Sequence, residues 1–283
     1  MLDTYAKQII PNMAVGLELE FEGTAAVVSA DRLISHDLTD WWEAHTDGSL
    51  RPRDENTEFT FRAPVLGEDV ADTVSGLCDL LQDYSEDAYK VSWRCGMHVH
   101  IDQRLATRDQ IYLETVLSCF LDRVWFAWDG TGRQESKFCV PTAQIWEHML
   151  ATVPTWRGPQ IDILRGYKYT GLNITRSLPP DIQTTEYRYA ASSRDPRRIL
   201  QYIAMCQWCT FILREIYITP DELIASFVSA GSYKEWFARI ANPTMLGYWM
   251  EGCNRIIGED RPTTGEFAAA IGLAKHYMGN QEE

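Results

Sequence analysis

The strongest constraint on this chain is a run in which every second residue is acidic: Gly16-Leu17-Glu18-Leu19-Glu20-Phe21-Glu22. Period two is the side-chain repeat of a β-strand. Leu17, Leu19 and Phe21 are therefore expected to enter a core while Glu18, Glu20 and Glu22 share the opposite face. Residues two apart on a strand lie ~6.5–7 Å apart. Two carboxylates at that spacing repel by ~2.4 kcal/mol at an effective dielectric of ~20, and by ~0.6 kcal/mol in water. A wet strand face tolerates the smaller figure, so repulsion alone leaves two readings, an exposed face or a cation site. The poor strand preference of glutamate favours a use for the run.

Three further segments repeat the habit. In Cys95-Gly96-Met97-His98-Val99-His100-Ile101-Asp102, alternation places His98, His100 and Asp102 together, with Val99 and Ile101 behind them. Imidazole ligates metals and donates to phosphate, and two of the six histidines are aligned here with a carboxylate. Thr57-Glu58-Phe59-Thr60-Phe61-Arg62 sets Glu58, Thr60 and Arg62 against two phenylalanines, and Thr185-Glu186-Tyr187-Arg188-Tyr189 sets Glu186 and Arg188 against two tyrosines. Alone, each also fits a surface strand with a cross-strand ion pair. Gathered in one sheet, they would supply carboxylates for ions and guanidinium for phosphate oxygens, the ingredients of a nucleotide–metal site. Two loops add candidates. Thr46-Asp47-Gly48-Ser49 is a tight-turn sequence whose Asp47 can take a proton from an amine and whose Ser49 can bind a carboxylate. Arg165-Gly166-Tyr167-Lys168-Tyr169, with Asn173, offers either two more phosphate-side cations or plain surface charge.

Composition narrows the class. Of the 283 residues 45% are hydrophobic, with ten Trp, ten Phe and thirteen Tyr, enough for a substantial core. A formal net charge of −14 makes nucleic acid an unfavourable partner. No run reaches the ~18–20 apolar residues of a membrane span. No secretory leader pattern opens the chain, and the seven scattered cysteines suit a reducing compartment, so a cytoplasmic location without membrane association is expected. Cys206 and Cys209 have metal-pair spacing but sit in an apolar helical stretch, so they are read as structural.

Strand patterns at 15–22, 57–62, 91–102, 168–175 and 184–190 alternate with helical ones at about 68–84 and from Thr107, where Gln110 completes a capping box. From Asp195 onward the signals are helical only. Asp195-Pro196, Thr219-Pro220 and Asn242-Pro243 each place a capping side chain before a proline, and Thr219 has Glu222 three residues on. The helix from 196 to about 217 is apolar nearly all round, as a buried helix is, and 280–283 reads as a frayed tail. The expected architecture is α+β, with a mixed core over 1–194 and a helical subdomain over 195–283 packed on it.

These motifs, in this order, resemble the amidoligase family of glutamine synthetase-like carboxylate–amine ligases. The resemblance rests on Gly16-x-Glu18-x-Glu20, Asp47-Gly48-Ser49, Glu58 with Pro64 and Gly67, Cys95-Gly96-Met97-His98-Val99-His100, the Asn173 strand and Glu186-Tyr187-Arg188, across roughly residues 15–205. It implies a curved antiparallel sheet forming a half-barrel backed by helices. It also implies that ATP, with Mg²⁺ or Mn²⁺, phosphorylates a carboxylate that an amine then converts to an amide. Carried over residue by residue, it makes Glu18, Glu20, Glu58, His98 and Glu186 metal ligands and puts His100 near the nucleotide. Arg188 becomes the phosphate-binding guanidinium and Asp47 the group serving the amine. Arg165, Lys168, Asn173, Ser49 and Arg62 complete the expected catalytic and nucleotide-binding set. Two departures stand out: in glutamine synthetases the Asp-Gly-Ser loop precedes the Glu-x-Glu strand, and many relatives carry Ser-Pro where this chain has Arg62-Ala63-Pro64. Substrates are expected to be a small-molecule or peptide carboxylate and an amine. Two other classes remain, a metal-dependent hydrolase or transferase built on the His-x-His and carboxylate cluster, and a catalytically idle interaction module.

Overall fold

In a computed structural model of the chain, the described residues are 3–146, 169–174, 183–216, 219–256 and 260–279. In chain order the first elements are α1 (Asp3–Ala6), β1 (Ala14–Glu22), α2 (Ala26–Ser35), β2 (Trp42–His45), β3 (Asn56–Phe61) and β4 (Val65–Leu66). Then come α3 (Gly67–Gln82), β5 (Gly96–Asp102), α4 (Arg108–Asp129), β6 (Leu172–Asn173) and β7 (Thr184–Ala191). Among the described residues five helices follow: α5 (Pro196–Ile216), α6 (Pro220–Ala230), α7 (Tyr233–Ile240), α8 (Pro243–Arg255) and α9 (Thr264–Gly279). The fold is mixed, with antiparallel strand pairs in open sheet and helices against them. Among the described residues no helix is long and apolar enough to cross a membrane. The chain divides into two compact units, Met1–Asp102 with Ala190–Trp208, and Gln103–Tyr189 with Cys209–Glu283.

In the first unit the strand order is β2-β3-β1-β5, with β4 beside the start of β1. The apolar halves of the alternating runs form the core: Leu17, Leu19, Phe21, Phe59, Met97, Val99 and Ile101 are all buried. Against this face α3 sets Val70, Val74, Leu77 and Leu81, also buried. Two polar contacts fix the helices on the sheet. Trp42 Nε1 donates to the Thr73 carbonyl at 3.1 Å, and the Ser29 hydroxyl of α2 meets Thr57 Oγ1 at 2.7 Å. The strand expected from residue 91 begins only at Gly96. Ser92 turns the preceding chain instead, its hydroxyl accepting from Arg94 N and its carbonyl from Cys95 N. The chain leaves β7 at Ser192 and enters α5, where Asp195 Oδ1 accepts from Arg197 N as the expected cap.

In the second unit α4 begins with the predicted capping box of Thr107 and Gln110, α6 with that of Thr219 and Glu222, and α8 with Asn242 accepting from Met245 N. One face of α4 bonds to one face of β7. Glu114 Oε1 accepts from Thr185 Oγ1, the Tyr187 hydroxyl and Thr210 Oγ1, and Glu114 Oε2 accepts from Gln103 Nε2. Two turns on, Asp122 Oδ1 accepts from the Tyr189 hydroxyl and Oδ2 from Ala143 N. Four residues of helix advance ~6 Å and two residues of strand ~6.6 Å, so acids and hydroxyls stay nearly in step. Trp125 stacks on Tyr189 with ring centroids 5.4 Å apart. Gly171 is required below that ring, because a Cβ there would lie 2.1 Å from Tyr189 Cε1. Helix α8 also approaches α4 closely at Gly252.

Two measurements check this packing. A Cβ at Gly252 would sit 2.5 Å from the Val124 carbonyl oxygen and 3.1 Å from Trp128 Cβ. Gly252→Ala should therefore cost ~1–3 kcal/mol and lower the melting temperature by roughly 2–4 °C per kcal/mol. An unchanged melting curve would show that the helices do not approach so closely. Burial raises the Asp122 carboxyl to about 7. A folded-state value above the unfolded one of ~3.9 gives stability that is complete below ~3.9 and is lost as pH rises through about 7. Denaturant midpoints taken at about pH 5 and about pH 8 should accordingly fall less for Asp122→Asn than for the wild-type chain.

Candidate functional site

The register of β1 decides which polar groups of the first unit meet. Glu18 lies opposite Thr60 of β3 on one side and His98 of β5 on the other; Glu20 lies opposite Glu58; Gly16 lies opposite His100. Beyond β3, Glu58 faces His45 and Thr60 faces Glu43. The polar face is not a wet outer surface. Glu20 is 3% exposed and His98 is 2% exposed. The amide of Glu20 turns away from β3, donating to Ser192 Oγ at 2.8 Å, so Glu20 and Glu58 form a non-hydrogen-bonded pair. Such pairs have the closer spacing, with Cα atoms ~4.5 Å apart, and like charges directly opposite are destabilising.

Imidazole offsets part of that charge. His98 sits between two carboxylates, its Nδ1 3.0 Å from Glu18 Oε2 and its Nε2 3.7 Å from Glu20 Oε1. His100 Nε2 lies 3.1 Å from Glu18 Oε1. Burial by itself would raise the Glu18 carboxyl. The hydrogen bonds and charge of His100 and His98 outweigh that and hold it well below the usual carboxylate range. Glu20, Glu58 and His98 each present a ligand atom, and these atoms all lie within 4.8 Å of one another. Three carboxylates against two imidazoles leave an excess of negative charge on a largely buried face. A divalent ion supplies the opposite sign, and mostly oxygen donors with one imidazole fit Mg²⁺ or Mn²⁺.

The remaining candidates of this unit lie in different settings. The imidazole of His100 occupies the space above Gly16, where an added Cβ would stand 3.0 Å from His100 Cβ. Asp47 uses Oδ1 to accept from Ser49 N and takes Asn56 Oδ1 with its own amide, so its turn is held from both ends. Arg62 is exposed just past β3. It pairs with Glu43 at 3.1 Å and donates to the Thr39 carbonyl at 2.9 Å, the geometry of a rim charge. Glu22 accepts from Arg51 N, away from the histidines.

In the second unit Asn173 lies opposite Glu186, and its Nδ2 donates to Glu186 Oε2 at 2.6 Å. Arg188 donates to Glu186 Oε1, and its guanidinium lies 5.8 Å from the centre of the Tyr169 ring. The backbone at Arg188 is fixed from several directions. Its amide donates to the Gly171 carbonyl, and its carbonyl accepts from Arg133 Nε and Cys139 Sγ. Arg165 and Lys168 lie outside the described residues.

Three buried groups around these candidates escaped the sequence reading. Glu114 and Asp122 lie in the helix expected from Thr107, and both face inward, toward β7. Their spacing with Ser118, at i, i+4 and i+8, is a polar stripe that ordinarily means solvent. Ser192 follows the last strand motif in Ala190-Ala191-Ser192-Ser193, with no periodic signal to mark it.

A comparison with family models matches residues 11–210 to one described as a putative amidoligase enzyme. The matched span contains every motif carrying the polar strand faces and stops short of α6 to α9. No curated protein matches the chain. With more than two thirds of its length matched, the chain belongs to the amidoligase family.

Proposed function

We propose that the chain is an ATP- and Mg²⁺-dependent carboxylate–amine ligase that forms an amide through an acyl phosphate. The observation that carries this reading is the grouping of buried Glu20 and His98 with half-buried Glu58, and of Glu18 against His98, in a chain of the amidoligase family. A carboxylate is a poor electrophile. Its oxygen attacks the γ-phosphorus of ATP, ADP leaves, and the resulting acyl phosphate is attacked by an amine nitrogen with loss of phosphate. Mg²⁺ or Mn²⁺ held by Glu18, Glu20, Glu58 and His98, and by Glu186 on the family resemblance, would spread the charge of the transferring phosphoryl group.

The chain's own groups divide the remaining work. The guanidinium of Arg188 binds phosphate oxygens in this reading, with Asn173 steadying the Glu186 carboxylate beside it. His100 takes the nucleotide side. Arg165, Lys168, Ser49 and Arg62 are further candidates for phosphate or substrate, and Arg62 would first have to leave Glu43. An amine attacks only when neutral, so Asp47, whose Oδ1 is occupied by the Ser49 amide, would receive the amine proton on Oδ2. Seven free, buried cysteines fit a reducing compartment such as the cytoplasm.

The test is coupled turnover. ADP and phosphate should be released from Mg²⁺–ATP only when a carboxylate and an amine are both supplied from a broad panel. Glu18→Gln, His98→Ala and Glu186→Gln should each lower that release by ~100-fold or more while the melting temperature stays within a few degrees. Release that survives His98→Ala, or that needs neither substrate, would sink the proposal.

A further inference from the structure

The pairing of β1 with β5 stops one residue early. Val15 to Leu19 pair in register with Ile101 to Met97, so the next rung of the ladder would join Glu20 to Gly96. Both residues belong to their strands, and amides two apart on a strand face the same neighbour. The rung is nevertheless missing. Glu20 N donates to Ser192 Oγ at 2.8 Å, and Ser192 Oγ donates in turn to the Gly96 carbonyl at 2.8 Å. One hydroxyl thus stands between a backbone donor and a backbone acceptor that would otherwise meet at ~2.9 Å. Ser192 is itself anchored, since its amide donates to the Cys95 carbonyl at 3.0 Å.

Opening the ladder has a second effect. The Gly96 amide, which the direct rung would have used, donates to Glu20 Oε2 at 2.5 Å. The carboxylate is therefore folded back against its own sheet and held by one oxygen. The other oxygen, Oε1, faces His98 Nε2 at 3.7 Å, and Glu20, His98 and Glu58 present ligand atoms within 4.8 Å of one another. The hydroxyl at 192, the amide at 96 and the carboxylate at 20 form one chain of hydrogen bonds, and its first link comes from outside both strands.

We propose that Ser192 is a positioning residue for the candidate cation site: its hydroxyl keeps β1 and β5 apart at Glu20 and Gly96, leaving the Gly96 amide to orient Glu20 as a one-oxygen ligand for a divalent ion. The proposal rests on the ion-binding part of the functional reading. Without the hydroxyl, the Glu20 amide and Gly96 carbonyl either close into a direct rung or lose their partner. Closure draws the Gly96 amide to the backbone carbonyl of Glu20, and the carboxylate then loses its hold. Partners that orient a ligand in this way commonly change metal affinity ~10–100-fold.

The experiment uses Mn²⁺ alone as the probe, titrated into the full chain without nucleotide and followed by the loss of the free-ion electron paramagnetic resonance signal. Wild type should bind, Glu20→Gln should bind far more weakly, and Ser192→Ala should raise the dissociation constant ~10-fold or more. Ser192→Thr, which restores the hydroxyl, should recover affinity to within ~3-fold of wild type. Melting of each metal-free variant separates loss of the ligand's orientation from loss of the fold. Should Ser192→Ala not fold, Ser192→Cys keeps the side chain's shape with a much poorer donor, and the same loss is expected. Equal affinity in wild type and Ser192→Ala, or an equal loss in the Ala and Thr variants, overturns the role of Ser192 while leaving the ion site standing. A wild-type chain that takes up no Mn²⁺ overturns the ion site and this role with it.

Discussion

Everything at the candidate site depends on where β1 sits between its neighbours. Its acids recur every second residue, so a slip of one residue against β3 or β5 would turn the whole set into the core and bring the leucines out. In the observed register Glu18 falls against His98 and Glu20 against Glu58. The apolar half of the same strand enforces this, because Leu17, Leu19 and Phe21 fill the core beside α3. Burial of one face thus specifies an arrangement on the other that electrostatics alone would oppose. The opposed glutamates are tolerable because imidazoles and the Gly96 amide hold the carboxylates nearby.

In the second unit the same task falls to hydrogen bonds between a helix and a strand. Helix α4 advances four residues for every two of β7, and Glu114 and Asp122 are spaced to follow that match. The outcome is that Thr185, Tyr187 and Tyr189 are tied down on one side of the strand while Glu186 and Arg188 occupy the other. Burial raises both helix carboxyls, so each is held toward its neutral form, in which a carboxylic acid can remain among apolar rings such as Trp125.

Much of this was legible from residue order alone. Alternation located β1, β3 and β7 to within a residue at each end and β5 at its end alone, and side chains before prolines located the starts of α5, α6 and α8. It also showed which residues share a face, hence that Glu20, Glu58 and His98 could meet. What alternation does not encode is how the polar face is covered: an exposed and a buried row of glutamates read alike. Ser192 was illegible for a different reason, since its role comes from a contact with residues nearly a hundred and more positions earlier in the chain. The four-residue β2 and the short helix α2 were too brief for a periodic signal to rise above their loops.

Gly16 shows what such a motif glycine can be for. A strand interior ordinarily disfavours glycine, which packs nothing and loses more entropy on ordering. Here its missing side chain is a hollow in the sheet, and the side chain of His100 fills it from the adjacent strand. The floor of the site at that point is bare backbone, and the imidazole rests in it instead of standing above a neighbour. How deep this end of the site runs is therefore set by an atom the chain omits, and any larger residue at this position would make it shallower from below.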